Sequence, residues 1–204
     1  MRARTGRLLS LALSGWILTC AGCAGGSATT RFYVLTPLAN ADGSDHVATA
    51  KTSLAVGVHR VALPDYLDQP QIVTRLGPSQ LALAEFDRWA SPLGNQFSRV
   101  LGENLRASLP SDQVAVFPWP QTARVDYEVS VDVEQFEGRF GGDCSLVARW
   151  RIYSRERRTV LRVGTSNLSE PTRGGDYNAI AAAESRLVAG LSREIAEALK
   201  GVTR

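Results

Sequence analysis

The sequence predicts an α+β fold: a largely antiparallel sheet with two main helices packed on one face, in a single domain. Three observations predict it. Residues 126–138, DYEVSVDVEQFEG, and 144–153, CSLVARWRIY, alternate apolar and polar side chains as half-buried strands do. Two other stretches, within 88–110 and from 174 onward, repeat apolar residues at spacings of three and four, the period of an amphipathic helix. About seven strand-like runs and only these two helices follow one another, which suits helices laid on a sheet.

The N-terminus precedes that fold. Residues 1–7 carry Arg2, Arg4 and Arg7 and no acid, and residues 8–18, LLSLALSGWIL, form a short apolar run. A membrane span needs about 20 apolar residues, whereas a secretory signal needs about 7 to 15 followed by small residues. Ala21 and Gly22 then precede Cys23, while Leu18 and Thr19 precede Cys20. Small residues before a cysteine are the cleavage context of an acylated protein, so Cys23 is the expected lipid attachment site. Cys20 remains the alternative, and an ordinary secreted protein the other. The division expected is a signal peptide at 1–22, the acylated cysteine and a tether at 23–31, and one domain at 32–204. The tether AGGSATTR, residues 24–31, reaches at most about 28 Å when extended.

Removing residues 1–22 from the 204 leaves 182, enough for one domain with a substantial core. Three of the 23 basic residues leave with the signal, so the remainder balances at 20 basic against 20 acidic. A nucleic-acid role therefore has no electrostatic warrant. With Cys23 blocked, only Cys144 remains, and no internal disulfide can form.

Along the domain, RFYVL at 31–35 reads as a first strand and the polar residues 39–52 as a loop. SLAVGVHRV at 53–61 is a second strand. Pro64 and Pro70 bound an irregular segment, and QIVTR and QLALAEF then flank a turn at Gly77 and Pro78 as a hairpin. Ser91 is the expected N-cap and Pro92 the first residue of a helix whose apolar stripe is Phe97, Val100, Leu101, Leu105 and Leu109, ending at Pro110. QVAVFPWP, 113–120, is a strand stopped by its prolines.

In the next strand, Tyr127, Val129, Val131 and Val133 share one face, and Phe136 breaks that phase, which places a bulge near Gln135. After a turn at Gly141 and Gly142, Cys144, Leu146, Ala148, Trp150 and Ile152 share the apolar face of the following strand. Arg149 and Arg151 are on its polar side, where they oppose Asp132 and Glu134 if the two strands pair. TVLRVGTSNL closes the meander. Asp176 is the expected N-cap of the last helix, with Ile180, Ala183, Leu187, Leu191, Ile195 and Ala198 as its stripe.

Catalytic patterns are missing. His46 and His59 stand at no metal-ligand spacing, Gly141 and Gly142 lie between two strands and so cannot open a phosphate-binding helix, and Cys144 sits on an apolar face where core packing outweighs pairing with His59 as a nucleophile. The expectation is a protein that is not an enzyme and holds no cofactor apart from acyl chains on Cys23. Two segments are candidate partner or subunit contacts. Trp89 either packs in the core beside the helix start or also meets a partner, and Tyr66 and Leu67, between prolines, either cover the sheet edge or meet a neighbouring subunit.

RFYVL, YLDQPQIVTR, FDRWASPLGNQFSRVLGENL, VFPWP, VDVEQFEG and ARWRI, in this order and spacing, resemble the auxiliary lipoproteins of MCE-type lipid transport, the paraquat-inducible Pqi group and its ABC-linked relatives. Ser91 departs from the family, which more often has an acidic residue there. The resemblance implies an outer-membrane lipoprotein that assembles as a ring-shaped homo-oligomer. It would receive the tip of a periplasmic MCE-domain protein and support envelope integrity. Ala24 after the cysteine fits that membrane, since an Asp there is the usual inner-membrane retention signal. The alternative is an independent lipid-binding lipoprotein with its own apolar pocket.

Overall fold

The computed structural model describes residues 29–37, 54–109 and 113–202. Cys20, Cys23, Ala24 and His46 lie outside the described residues. Eight strands and two helices follow in the order β1 (Arg31–Tyr33), β2 (Ala55–Val58), β3 (Gln71–Gly77), β4 (Gln80–Trp89), α1 (Leu93–Ser108), β5 (Gln113–Val116), β6 (Tyr127–Gly138), β7 (Asp143–Ser154), β8 (Thr159–Pro171) and α2 (Tyr177–Val202).

The α+β class and both helices stand as expected, but the sheet is mixed where a largely antiparallel one was expected. β3–β4 and β6–β7–β8 are antiparallel, whereas β1–β4, β2–β5, β2–β6 and β3–β6 are parallel. The antiparallel pairs are the ones joined by short turns. The parallel ones are joined by long returns through 59–70 or α1, and side-chain alternation carries no information about strand direction.

β6 organises this sheet. One edge pairs with β7 along its whole length, from Tyr127↔Ser154 to Gly138↔Cys144. The other edge is shared: β2 takes Tyr127 to Val129, Ala62 bridges to Asp132, and β3 takes Gly138. The register slips between Val133 and Gln135, where the sequence placed a bulge. That slip returns Phe136 to the apolar face, and its ring meets Phe97 of α1 edge-on at 5.1 Å. On the polar face Arg151 donates to Asp132 at 2.6 Å and Arg149 to Glu134 at 3.1 Å.

α2 packs across β6, β7 and β8, and α1 against β2, β5 and α2. Glycine permits two close approaches: a Cβ on Gly138 would collide with Cys144 and Ile180, and one on Gly164 would fall inside the Trp150 indole. Asp176 caps α2 as expected, its Oδ1 accepting the Ala179 N–H at 2.8 Å.

At α1 the expectation is corrected. Pro92, not Ser91, is the N-cap, and no side chain caps the helix. The Pro92 carbonyl accepts from the amides of Asn95 and Gln96. Gln96 ties down the entry by donating to the Ser91 carbonyl at 2.9 Å and accepting the Leu35 N–H at 2.8 Å. Ser91 is left facing solvent. No helix among the described residues is long and apolar enough to cross a membrane.

Candidate functional site

Two sites lie at opposite ends of the β6–β7 ladder. The first is the point where the chain enters the fold. Arg31, the last tether residue, donates to Asp87 of β4 at 3.0 Å, and the Tyr33 hydroxyl donates to the other carboxylate oxygen at 2.6 Å. Burial pushes the Asp87 carboxyl up, but the hydrogen bonds from Arg31 and Tyr33 and the arginine charge outweigh it and hold Asp87 below the usual carboxylate range. Burial, then the bond to Asp87, raises the Tyr33 phenol to about 12. A buried acid at 4 % exposure thus fixes the root of the tether to the C-terminal end of β4, the strand beside β1 in the sheet. In the sequence, the only sign of this was an acid, Asp87, between Phe86 and Arg88 near the end of the strand.

The second site lies at the far end. The Phe117 amide donates to the Val58 carbonyl of β2, and the His59 amide to the Val129 carbonyl of β6, so both residues lie level with the N-terminal part of β6, Phe117 one strand beyond β2. The His59 ring stands edge-on to Trp119 at 5.1 Å and stacks with Phe117 at 6.4 Å, while its Nε2 pairs with Glu128 at 3.0 Å. Phe117 is 51 % exposed. From Val129 to Gly138, near the tether end, is roughly 30 Å along the strand. VFPWP reads from the sequence as a strand stop and as one stretch of the family resemblance; two aromatic residues each bonded to a proline in a non-repetitive segment were the available signal for a surface cluster.

The structure separates the residues expected as contacts. Leu67 is 2 % exposed and Trp89 5 % exposed, so both belong to the core and neither presents a surface. A turn in which the Leu67 amide donates to the Pro64 carbonyl folds that segment back and drives Leu67 inward. Tyr66 is half-buried and its hydroxyl donates to Glu137 at 2.8 Å. Glu137 also accepts from Arg75 at 2.7 Å and Gln135 at 2.9 Å, which makes it the hub of a buried network on the face away from the helices.

The other surfaces are an edge and a groove. Among the described residues β8 pairs only with β7, and no described strand pairs with the opposite edge of this 13-residue strand, where Val160 and Val163 are half exposed. Between β8 and the end of α2 runs an open groove of about 820 Å³, floored by Trp150, Leu161 and Leu168 and rimmed by Arg162, Arg193 and Glu194.

Cys144 and His59 do not meet. Cys144 is fully buried against Gly138 and Ile180 at one end of β6, and burial raises its thiol pKa, whereas His59 lies at the other end. Among the described residues no group of three or more His, Cys, Asp or Glu could hold a metal ion.

The family described as the ABC-type transport auxiliary lipoprotein component matches residues 33–196. The intermembrane transport lipoprotein PqiC of Escherichia coli K12 is 29 % identical over 142 residues, covering 67 % of this chain and 73 % of that protein, and PqiC of Shigella flexneri matches equally. Two crystal structures share the fold: an uncharacterized protein with TM-score 0.68 and 23 % identity, covering 84 % of this chain and 99 % of that one. The second, a Xanthomonas campestris protein, has TM-score 0.63 and 21 % identity, covering 82 % and 93 %.

Proposed function

Because the chain belongs to the ABC-type transport auxiliary lipoproteins, whose role is in transport and not catalysis, we propose that it is the outer-membrane docking subunit of an MCE-type intermembrane lipid transport system. Acyl chains on Cys23 hold it to the membrane, and two or more such chains anchor stably where one does not. It receives the tip of a periplasmic MCE-domain protein, and so supports envelope integrity.

The observation that carries this reading is polarity. The tether enters the fold beside the C-terminal end of β6, and the exposed Phe117 with its Trp119 and His59 neighbours lies roughly 30 Å away, at the other end of the same ladder. A domain held to a membrane at one end therefore presents a rigid aromatic surface at the end farthest from it, the composition that dominates protein contacts. The edge of β8 that no described strand covers suits a ring of identical subunits, since an edge strand is the ready template for pairing with another chain. The rival reading, a lipid carrier, needs an enclosed apolar cavity; the groove beside α2 is open and its rim is charged.

The test is Phe117→Asp in the full-length, membrane-extracted protein. The variant keeps the fold, the native assembly mass and sedimentation with outer membranes, while capture of the MCE-domain partner falls about tenfold or more. Undiminished capture removes this end from the docking surface. Recovery of the wild type with inner membranes contradicts the location.

A further inference from the structure

The turn between β7 and β8, residues 155–158, carries charge that the fold leaves unused. Arg155, Arg157, Arg158 and, just beyond them, Arg162 are exposed, and Glu156 is the one acid among them. No described carboxylate pairs with Arg157, Arg158 or Arg162. The backbone of Arg158 has φ +49°, a left-handed conformation in which glycine or asparagine is the unstrained choice, and such outliers gather at functional sites.

This turn adjoins the aromatic end of the domain. One oxygen of the Glu128 carboxylate meets the His59 ring at 3.0 Å, and the other lies 3.8 Å from the Arg155 guanidinium. The Arg155 amide donates to the Asp126 carbonyl at 3.0 Å, and Glu128 stands opposite Tyr153 in the β6–β7 ladder. A single carboxylate therefore joins the arginine turn to the cluster of His59, Phe117 and Trp119.

The acids around this joint are already engaged. Asp126 accepts from Arg124 at 3.1 and 3.0 Å, Glu128 serves His59 and Arg155, and Asp132 and Glu134 on the same face are matched by Arg151 and Arg149. On the flanks, Arg60 shares a recess with Asp68. At the groove rim Glu194 is bonded to Ser166 and Glu197 to Lys200, while Arg193 pairs with no described carboxylate. The charge left over is positive.

We propose that the partner meets this end with a carboxylate-rich segment, its apolar side chains on Phe117 and its acids on Arg157 and Arg158. The proposal rests on the docking reading above and adds the chemistry of the partner. The planar fork of arginine binds a carboxylate through two parallel bonds. Charge matched around an aromatic anchor selects the partner and speeds the encounter. The anchoring membrane does not supply that charge, because a tether of at most about 25 Å enters the fold at the opposite end of the ladder, roughly 30 Å away.

The experiment uses the full-length, detergent-solubilised protein and fluorescent peptides of about twelve residues, with leucine at every third position and either glutamate or glutamine at the others. In about 0.05 M salt the glutamate peptide is expected to bind at least about tenfold more tightly than the glutamine peptide, and in about 0.5 M salt that advantage should vanish. Arg157→Ser with Arg158→Asn, asparagine being at ease at positive φ, should remove the advantage at low salt and leave the glutamine peptide unaffected. Both positions are exposed, so the circular dichroism of the variant should match the wild type. Phe117→Ser should weaken the two peptides alike. Capture of the MCE-domain partner should fall at least about fivefold in the arginine variant.

Equal binding of the two peptides, or a preference that survives the arginine changes, overturns the acidic partner. So does displacement of the glutamate peptide by an equal concentration of phosphatidylglycerol in the micelles, which would make lipid headgroups the occupant. Partner capture that depends on Phe117 but ignores Arg157, Arg158 and salt overturns the charge recognition and leaves the docking end standing. Capture that ignores all of them while the peptide preference holds removes the docking reading and leaves the turn as a surface for acidic segments.

Discussion

Glu137→Ala is expected to lower the free energy of unfolding by about 3–5 kcal/mol, the cost of removing one partner from a buried ion pair. The Glu137 side chain has no exposure, and it accepts hydrogen bonds from Arg75, Tyr66 and Gln135. Removing it leaves the largely buried Arg75 guanidinium unpaired and the Tyr66 hydroxyl without its acceptor. A desolvated unpaired charge is worse than no charge, so the double variant Arg75→Met, Glu137→Met should be far closer to the wild type than either single change. Urea unfolding of the detergent-solubilised protein measures both. A loss under about 1 kcal/mol for Glu137→Ala would mean that water reaches the pair and screens it.

Phe97→Ala is expected to cost a similar amount, about 3–5 kcal/mol, by leaving a cavity that helix packing cannot close. The ring is fully buried on α1 and meets Phe136 of β6 at an interplanar angle of 62°. It joins the helix layer to the sheet just past the β6 bulge. Phe136→Ala should be about as costly. In the double variant the two losses should fall short of additivity by about 0.5–1.5 kcal/mol, the worth of an edge-to-face aromatic pair beyond its area. Thermal or urea midpoints decide it, and strict additivity would show that the two rings contribute only separate apolar area.

Local features of this fold were legible because their physics is local. The bulge near Gln135 followed from a phase break in a single strand, the Asp176 cap from one side chain and the helix amide three residues on, and the acid–arginine ladder from alternation in two neighbouring strands. Ser91 failed for the converse reason. A residue suited to capping does not cap when the following proline carbonyl already takes the first amides and a glutamine from the next turn holds the entry. Of the candidate surface residues, Cys23 rests on its sequence context alone. Leu67 was read as a possible contact because it sits in irregular sequence, but irregular backbone can still turn a side chain inward; Trp89, read either as core beside the helix start or as a contact, takes the core position.

By itself, then, the sequence determined which face each strand and helix turns to the core, where the chain is punctuated, and the balance of charge, since each is a property of residues close along the chain. The direction in which strands pair, the burial of Glu137 beneath Tyr66, and the need for glycine at 164 beneath the Trp150 indole were decided by the tertiary structure alone. So was the gathering of Tyr33, Phe140 and Tyr177 at the tether root and of Phe117, Trp119 and His59 at the far end. Each joins segments that are distant in sequence, and no local period or propensity encodes which of them will meet when the chain closes on one core.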